Sequence, residues 1–188
     1  MNRYVENPNQ IVRVNISVDT RKRIQKKAAK RQVLNGKTLV NGEGNAAGFA
    51  GEEIVGAFCP MLKPDTANPD WDFIEIKTNL KFDVKSKGNN KGVPLPNFDC
   101  TIPIYQIENQ KCDLYIFTRI AADLSCGWIN GYISKERFLK EASLRCAGEN
   151  YNNAGRPTKE NHLVVPINRL VDITLLPLEL EKYEKQQL

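Results

Sequence analysis

A stretch of alternating apolar and charged residues constrains the fold of this chain more than any other part of its sequence. It runs in the order Leu80, Lys81, Phe82, Asp83, Val84 and Lys85. Successive side chains of a β-strand point to opposite faces of the sheet, so the alternation predicts a strand with one apolar and one charged face. The residues from Trp71 onward predict a preceding strand, joined to this one by a turn at Thr78-Asn79.

The charged face of this hairpin suits a particular chemistry. Asp72 on the first strand is expected close to Asp83 across the pair, and Lys85 shares the face of Asp83. Two adjacent carboxylates repel unless a cation lies between them, and magnesium prefers oxygen ligands. A bound metal makes water easier to deprotonate, and a nearby lysine stabilises charge on a phosphate. These residues predict metal-assisted hydrolysis of a phosphodiester; the alternative is a solvated hairpin with mixed surface charges.

Three pieces of sequence, in this order, resemble the core of the PD-(D/E)XK nuclease superfamily. They are a Gly-Glu segment on a predicted helix at Gly51 to Val55, an aromatic-Asp-Phe strand at Asp72, and an apolar-Asp-Val-Lys-Ser strand at Asp83. The resemblance covers about residues 45–120. It implies an α/β fold with a restriction-endonuclease-like core, in which helices flank a central mixed β-sheet. The implied activity is that of a magnesium-dependent DNA endonuclease, with manganese as a substitute metal.

The resemblance also implies a role for each site residue. Asp72 and Asp83 would bind the metal, together with the main-chain carbonyl of Val84. Lys85 would serve the attacking water, and Glu52 would complete or orient the metal shell. Gln106, on the helix predicted after the lysine strand, would support the site.

The first metal-binding aspartate has two candidates in the sequence. Pro69-Asp70 matches the letters of the family name better than Trp71-Asp72 does. Asp72 is preferred because it lies inside the apolar strand, whereas Asp70 lies in the loop ahead of it.

The glutamates leave a similar choice. Glu52 is preferred over Glu53 because its spacing to the following apolar residues is closer to that of the family. Glu75-Ile76-Lys77 also fits a Glu-x-Lys pattern, but it follows Asp70 too soon for a strand, a turn and a second strand. Glu75 and Lys77 are therefore predicted on the outer face of the first strand.

Positive charge is concentrated in one segment. The chain has 27 Lys and Arg against 22 Asp and Glu, and residues 20–42 hold eight of the basic residues and none of the acidic ones. This pattern predicts a basic helix from Thr20 to Val33 that contacts nucleic-acid phosphates; a solvated surface helix is the alternative. The predicted phosphate-binding residues are Arg21, Lys22, Arg23, Lys26, Lys27, Lys30 and Arg31, with Lys87 from a loop predicted at 86–98.

The remaining pattern predicts one α/β domain, residues 45–188, preceded by an N-terminal strand and the basic helix at 1–44. Leu114-Tyr115-Ile116-Phe117 is a continuous apolar run typical of a buried central strand. Ser134 is predicted to begin a helix that runs to about Ala147, with Phe138 and Leu139 facing inward. Further helices are predicted at 46–58, 103–110 and 178–188, and further strands at 12–18, 127–133 and 163–166.

Composition narrows the expected location of the protein and the expected state of its cysteines. No apolar run is long enough to cross a bilayer and no signal-peptide pattern occurs, so we expect a cytoplasmic protein with no membrane partner. Five cysteines without a C-x-x-C pair predict reduced thiols. DNA is the expected partner, and a homodimer would place two sites across a duplex. A catalytically inactive nucleic-acid-binding module and an assembly protein remain alternatives to an enzyme.

Overall fold

The structure is a computed structural model that describes residues 3–6, 11–35, 43–90, 92–149 and 158–186. Ten strands occur in the described part of the chain. They are β1 (Arg3–Glu6), β2 (Ile11–Asn15), β3 (Leu62–Pro64), β4 (Phe73–Glu75), β5 (Leu80–Asn89), β6 (Asp99–Pro103), β7 (Leu114–Ala121), β8 (Cys126–Ser134), β9 (Ser143–Arg145) and β10 (His162–Pro166).

Seven of these strands form one mixed sheet, in the order β1-β2-β8-β7-β5-β4-β3. The pair β5 and β7 is parallel, and every other neighbouring pair of this sheet is antiparallel. A second, antiparallel sheet has the order β6-β10-β9. The prediction of an α/β fold with a mixed sheet flanked by helices is thus confirmed.

Five α-helices accompany the sheets in the described residues. They are α1 (Val18–Asn35), α2 (Glu43–Phe58), α3 (Ile104–Asn109), α4 (Lys135–Glu141) and α5 (Leu176–Gln186), with 3-10 turns at Ile167–Arg169 and Ile173–Leu175. Over the described ranges, the chain contains no helix whose length and apolar character would let it cross a bilayer.

The large sheet has a hydrophobic core on each face. Ile24 of α1 and Ile54 of α2 pack with Phe82 of β5 in one core. The other core joins Tyr115 of β7 to β6, β10 and Phe138 of α4. Because Phe82 and Val84 face α2, the strand alternation turns Asp83 and Lys85 toward α3. The two-faced character predicted for β5 is confirmed, as is the buried strand predicted at Leu114–Phe117, which continues in β7 to Ala121.

The N-terminal elements are attached to this framework. β2 pairs with β8, and Ile24 and Ala28 of α1 are buried in the core that contains α2. The predicted boundary at residue 44 falls in the first turn of α2, and residues 36–42 lie outside the described residues. The basic helix is therefore packed beside the core with its charged side facing outward.

Three element boundaries differ clearly from prediction. The strand predicted at 12–18 is wrong at its end, because β2 ends at Asn15 and Val18 begins α1. The loop predicted from Ser86 is wrong, because β5 continues to Asn89 and pairs with β7 as far as Ala121. The helix predicted to reach Ala147 is also wrong: Ser134 accepts a hydrogen bond from Arg137 N at 3.2 Å and begins α4, but α4 ends at Glu141. The residues that follow form β9 against β10 instead. Leu139, predicted to face inward, is exposed.

Gly51 marks the closest approach of α2 to the sheet. A Cβ at this position would lie 1.9 Å from Ser86 Oγ and 2.7 Å from Thr118 Oγ1. These two hydroxyls belong to β5 and β7 and are hydrogen-bonded to each other at 2.8 Å. The absence of a side chain at Gly51 thus sets the distance between the helix and the sheet, and with it the position of Glu52.

We expect Gly51→Ala to lower the free energy of unfolding by about 1–3 kcal/mol, because the added methyl group overpacks the helix–sheet contact. Gly48→Ala is the matched control on the same helix, since a Cβ there meets nothing within 4 Å. It should be neutral or raise stability by up to about 1 kcal/mol through helix propensity. Urea unfolding of both variants checks the contrast, and equal effects would contradict the close approach.

Candidate active site

The hairpin of β4 and β5 brings Asp72 and Asp83 together. The strand register pairs Phe73 with Phe82, so Asp72 and Asp83 occupy the next opposing positions. Asp72 N donates a hydrogen bond to Phe82 O at 2.9 Å, and Val84 N donates to Asp72 Oδ2 at 2.7 Å. The carboxylate of Asp72 is thereby fixed against the backbone of β5, beside Asp83.

Glu75 organises the turn that sets this register. It is buried, and its Oε2 accepts hydrogen bonds from Thr78 N and Thr78 Oγ1, both at 2.7 Å, while Lys77 N donates to its Oε1 at 3.2 Å. Burial on its own raises the pKa of Glu75, but these hydrogen bonds outweigh it and the pKa is lowered. Asn79 completes the turn with a φ of 57°.

The prediction that Glu75 lies on the outer face is therefore wrong. Its carboxylate is turned inward because it supplies the acceptors that the N–H groups of the turn need. Lys77, predicted with it, is exposed and pairs with Glu184 of α5 at 3.5 Å.

Lys85 is held between two partners on the charged face of β5. Its Nζ lies 2.8 Å from Asp83 Oδ2 and donates to Gln106 Oε1 at 2.9 Å. The ring of Tyr115 lies beneath, with its centroid 6.0 Å from Nζ. The ammonium group is thus positioned within reach of the paired carboxylates, and Gln106 of α3 contacts it.

Gln110 is a site residue that the sequence reading missed. Its Nε2 donates to Asp83 Oδ1 at 3.1 Å. Lys135 fixes this end of α3 by donating to the carbonyl oxygens of Ile107 and Gln110, at 3.0 and 2.5 Å. A signal for Gln110 was present, because residues four apart share one side of a helix, and Gln106 had already been singled out.

The pKa of Asp72 is raised to about 7. Burial is the largest cause, followed by the charge of Asp83 and, further down, that of Glu52; the Val84 N–H and Lys85 act in the opposite direction. Near neutral pH the site therefore holds two adjacent carboxyl groups, and burial and the charge of Asp83 make that of Asp72 resist ionisation.

The chemistry of the site fits a divalent cation. Asp83 Oδ2 is buried and makes no hydrogen bond, since its 2.8 Å contact with Lys85 lacks hydrogen-bond geometry. A cation between Asp72 and Asp83 would satisfy this oxygen and offset the repulsion. No group of three or more His, Cys, Asp or Glu side chains in the described ranges could hold a metal by itself. Main-chain oxygen and water ligands, which magnesium commonly keeps, would have to complete the shell.

The alternative site residues, Glu53 and Asp70, form ion pairs outside the carboxylate pair. Glu53 pairs with Arg23 of α1 at 2.7 Å, whereas Glu52 pairs with Lys27 at 3.4 Å and its charge also raises the pKa of Asp72. Asp70 pairs with Lys111 at 3.1 Å, in the loop before β4. The geometry therefore favours Glu52 and Asp72 over Glu53 and Asp70.

The predicted phosphate-binding residues divide into groups. Lys22, Lys26 and Lys30 are exposed along α1, while Arg23 and Lys27 join the ion pairs with α2. Arg21 is half-buried, and the side chain of Arg31 lies outside the described residues. Lys87 is exposed on β5 and pairs in register with Arg119 of β7.

Neither protein-family models nor curated protein sequences match this chain. Inference about function therefore starts from the arrangement of Asp72, Asp83, Lys85, Gln106 and Gln110.

We expect Asp72→Asn to stabilise the metal-free protein, and more at high pH than at low pH. A pKa raised from 3.8 to about 7 means that the unfolded chain ionises first, so stability falls as pH rises through this window. Asparagine removes the charge and keeps an acceptor for Val84 N. The gain in free energy of unfolding should be about 2 kcal/mol larger at pH 8 than at pH 5.

Urea unfolding in EDTA at both pH values measures this difference. Asp70→Asn is the matched control, because its carboxylate pairs with Lys111 in the neighbouring loop. Equal gains for Asp72→Asn at pH 5 and pH 8 would refute the raised pKa.

Proposed function

We propose that this protein is a metal-dependent DNA nuclease that hydrolyses phosphodiester bonds with magnesium. The observation that carries the proposal is the pairing of half-buried Asp72 with buried Asp83, with Lys85 fixed 2.8 Å from Asp83 Oδ2. The order of Glu52, Asp72, Asp83 and Lys85 along the chain, and their placement on a helix and a hairpin, supports membership of the PD-(D/E)XK superfamily with its restriction-endonuclease-like core.

In this proposal Asp72, Asp83 and the carbonyl of Val84 would hold Mg²⁺, or Mn²⁺ in its place. Such a metal supplies charge neutralisation at the phosphate and an acidified water. Asp72 must be ionised to act as a ligand, so its raised pKa makes metal binding weaken as pH falls below about 7. Glu52 would orient waters from the side of α2.

Lys85 performs the part of the reaction that this chain controls most closely. Gln106 Oε1 accepts a hydrogen bond from Lys85 Nζ at 2.9 Å and so holds the ammonium group in one place. From there Lys85 orients the attacking water or stabilises the negative charge that builds on the phosphate oxygens. Gln110 fixes the orientation of Asp83, and Lys135 fixes Gln110 through its carbonyl oxygen. The lysine and the carboxylate are thus set before substrate arrives.

One observation favours a second candidate, a nucleic-acid-binding module without catalysis. The contact of Lys85 with Asp83 neutralises this carboxylate without a metal. In a protein that never binds magnesium, this contact would offset part of the repulsion between the two carboxylates.

A cleavage assay separates the two candidates. We expect the protein to cut DNA in Mg²⁺ and Mn²⁺ but not in EDTA, and Asp83→Ala and Lys85→Met each to lower the rate by at least about 100-fold. The substrates are supercoiled plasmid, linear duplex, single-stranded DNA and a four-way junction. Glu108→Gln on the exposed side of α3 is the control and should cut like the wild type.

Both inactive variants should keep their fold and their DNA affinity in Ca²⁺, which separates catalysis from binding. Full cleavage by Asp83→Ala would show that Asp83 is not an active-site residue. A folded wild-type protein that neither cuts any substrate nor binds Mg²⁺ by calorimetry would establish the binding module instead.

The exposed lysines of α1 are proposed to contact the DNA backbone. Lys22, Lys26 and Lys30 follow one another at four-residue spacing and share one side of the helix. We expect their joint replacement by glutamine to weaken DNA binding and to lower the slope of log affinity against log salt by up to about 3. The control replaces Lys140, Lys159 and Lys182, which are exposed elsewhere, and makes the same change in net charge. Equal losses in both triple variants would argue against a footprint on α1.

A further inference from the structure

A cleft of about 840 Å³ lies directly beside the candidate active site. Lys27 and Lys30 of α1 line one side, and the loop with Asn68 and Trp71 lines the other. Asp72 lines the cleft as well, so an occupant would be adjacent to the paired carboxylates. The volume is in the range of sites that hold a single small ligand, about 300–1,000 Å³.

The cleft has accessible apolar surface at Ala57, Pro64 and Trp71. Its charged lining is mixed, with Lys27 and Lys30 on the α1 side and the carboxylates of Glu52, Glu53, Asp65 and Asp72 around the rest. Phe49, Phe73 and Ala57 contribute to the lining, and of these Ala57 is the exposed residue. Lys27 lies over the ring of Phe49, with Nζ 4.0 Å from the centroid, and pairs with Glu52 at 3.4 Å. A flat apolar group can therefore enter while an attached anion remains near Lys27 and Lys30.

The loop wall is a built structure that keeps the cleft open. Asp65 N donates to Asp72 O at 2.9 Å, and Trp71 Nε1 donates to Asp65 Oδ2 at 3.0 Å. Asn68 Oδ1 accepts from Asp70 N at 2.9 Å. These bonds tie the loop to the residue that begins the hairpin, so the cleft and the carboxylate pair share one rigid support.

A nucleotide has the two parts that this cleft accommodates, a flat base and an anionic phosphate. In an intact duplex the base faces are stacked and only base edges are reachable in the grooves. A base can enter an apolar cleft only when it is unpaired or extruded. A cleft that takes a base face would therefore distinguish unpaired from paired nucleotides.

We propose that the cleft binds one unpaired nucleotide of the strand at the candidate active site, with its base over Ala57 and its phosphate toward Lys27 and Lys30. This inference deepens the proposed nuclease function and rests on it. It names the substrate class as DNA with an unpaired nucleotide next to the reacting phosphate, such as a single strand, a flap or a branch. Matched duplex is the disfavoured substrate.

Filling the cleft tests the proposal. Ala57→Phe places a ring in the cleft from an exposed position of α2, and Ala29→Phe adds the same ring on an exposed position of α1 that does not line the cleft. Both are made in the Asp83→Ala protein, so that binding is measured in Ca²⁺ without cutting. The probes are a matched duplex and the same duplex with one unpaired 2-aminopurine.

The parent protein should bind the unpaired probe about tenfold more tightly than the duplex and change its fluorescence. Ala57→Phe should remove this preference and leave duplex affinity unchanged, whereas Ala29→Phe should keep it. Equal affinity of the parent protein for the two probes overturns the inference, whether or not Ala57→Phe folds. Preference retained in folded Ala57→Phe overturns it too.

Failure of the nuclease proposal has a different signature. If the wild-type protein cuts matched duplex at the same rate as the unpaired probe, the nuclease proposal stands and the proposal for the cleft is overturned. A preference that Ala57→Phe abolishes, in a protein that cuts nothing, supports the cleft and overturns the nuclease.

Discussion

The hydrogen bond from Val84 N to Asp72 Oδ2 is the interaction on which the candidate site depends. It joins the carboxylate of one strand to the backbone of the next, one residue from Asp83. The bond requires the register of β4 and β5, and the buried carboxylate of Glu75 sets this register at the turn. A slip of one residue would turn Asp83 toward the apolar core, because strand side chains alternate. The same register therefore determines both the packing of Phe82 and the meeting of the carboxylates.

Burial gives the site its electrostatic character. Asp83 lies close to Tyr115 and Cys112, where burial raises the pKa of the Cys112 thiol to about 12, and burial is also the largest cause of the raised pKa of Asp72. Charges in such a setting interact more strongly than in water, so two carboxylates there cost stability unless a cation joins them. Lys85 offsets part of this cost, but its contact leaves Asp83 Oδ2 without a hydrogen bond. The site is consequently preorganised for positive charge.

The sequence predicted correctly those parts of the fold that depend on residues close together in the chain. The alternation at Phe82 and Asp83 and the cap at Ser134 follow from short-range rules. The position of Gln106 beside Lys85 was expected from the resemblance to a nuclease superfamily and not from local pattern. The length of β5 was not predictable in this way, because it depends on parallel pairing with β7 about 30 residues later in the chain. The inward position of Glu75 was missed because the turn was predicted at Thr78-Asn79 with the strand running up to it, whereas β4 ends at Glu75 and the turn begins at Ile76. Gln110 was missed because its partner Asp83 is distant in sequence, although its spacing to Gln106 pointed to it.

Lys27 connects the basic helix to the charge of the site. Its pairing with Glu52 is exposed, and such a pair contributes only about 0–1 kcal/mol, so a phosphate can compete for the ammonium group. Under the proposed function, a phosphate at Lys27 would compete with Glu52 for this ammonium group. The charge of Glu52 would then act more strongly on Asp72, whose pKa it already raises. That charge would attract a divalent cation, but it would also resist the ionisation of Asp72 that metal binding needs, so Glu52 would act on metal affinity in two opposing ways.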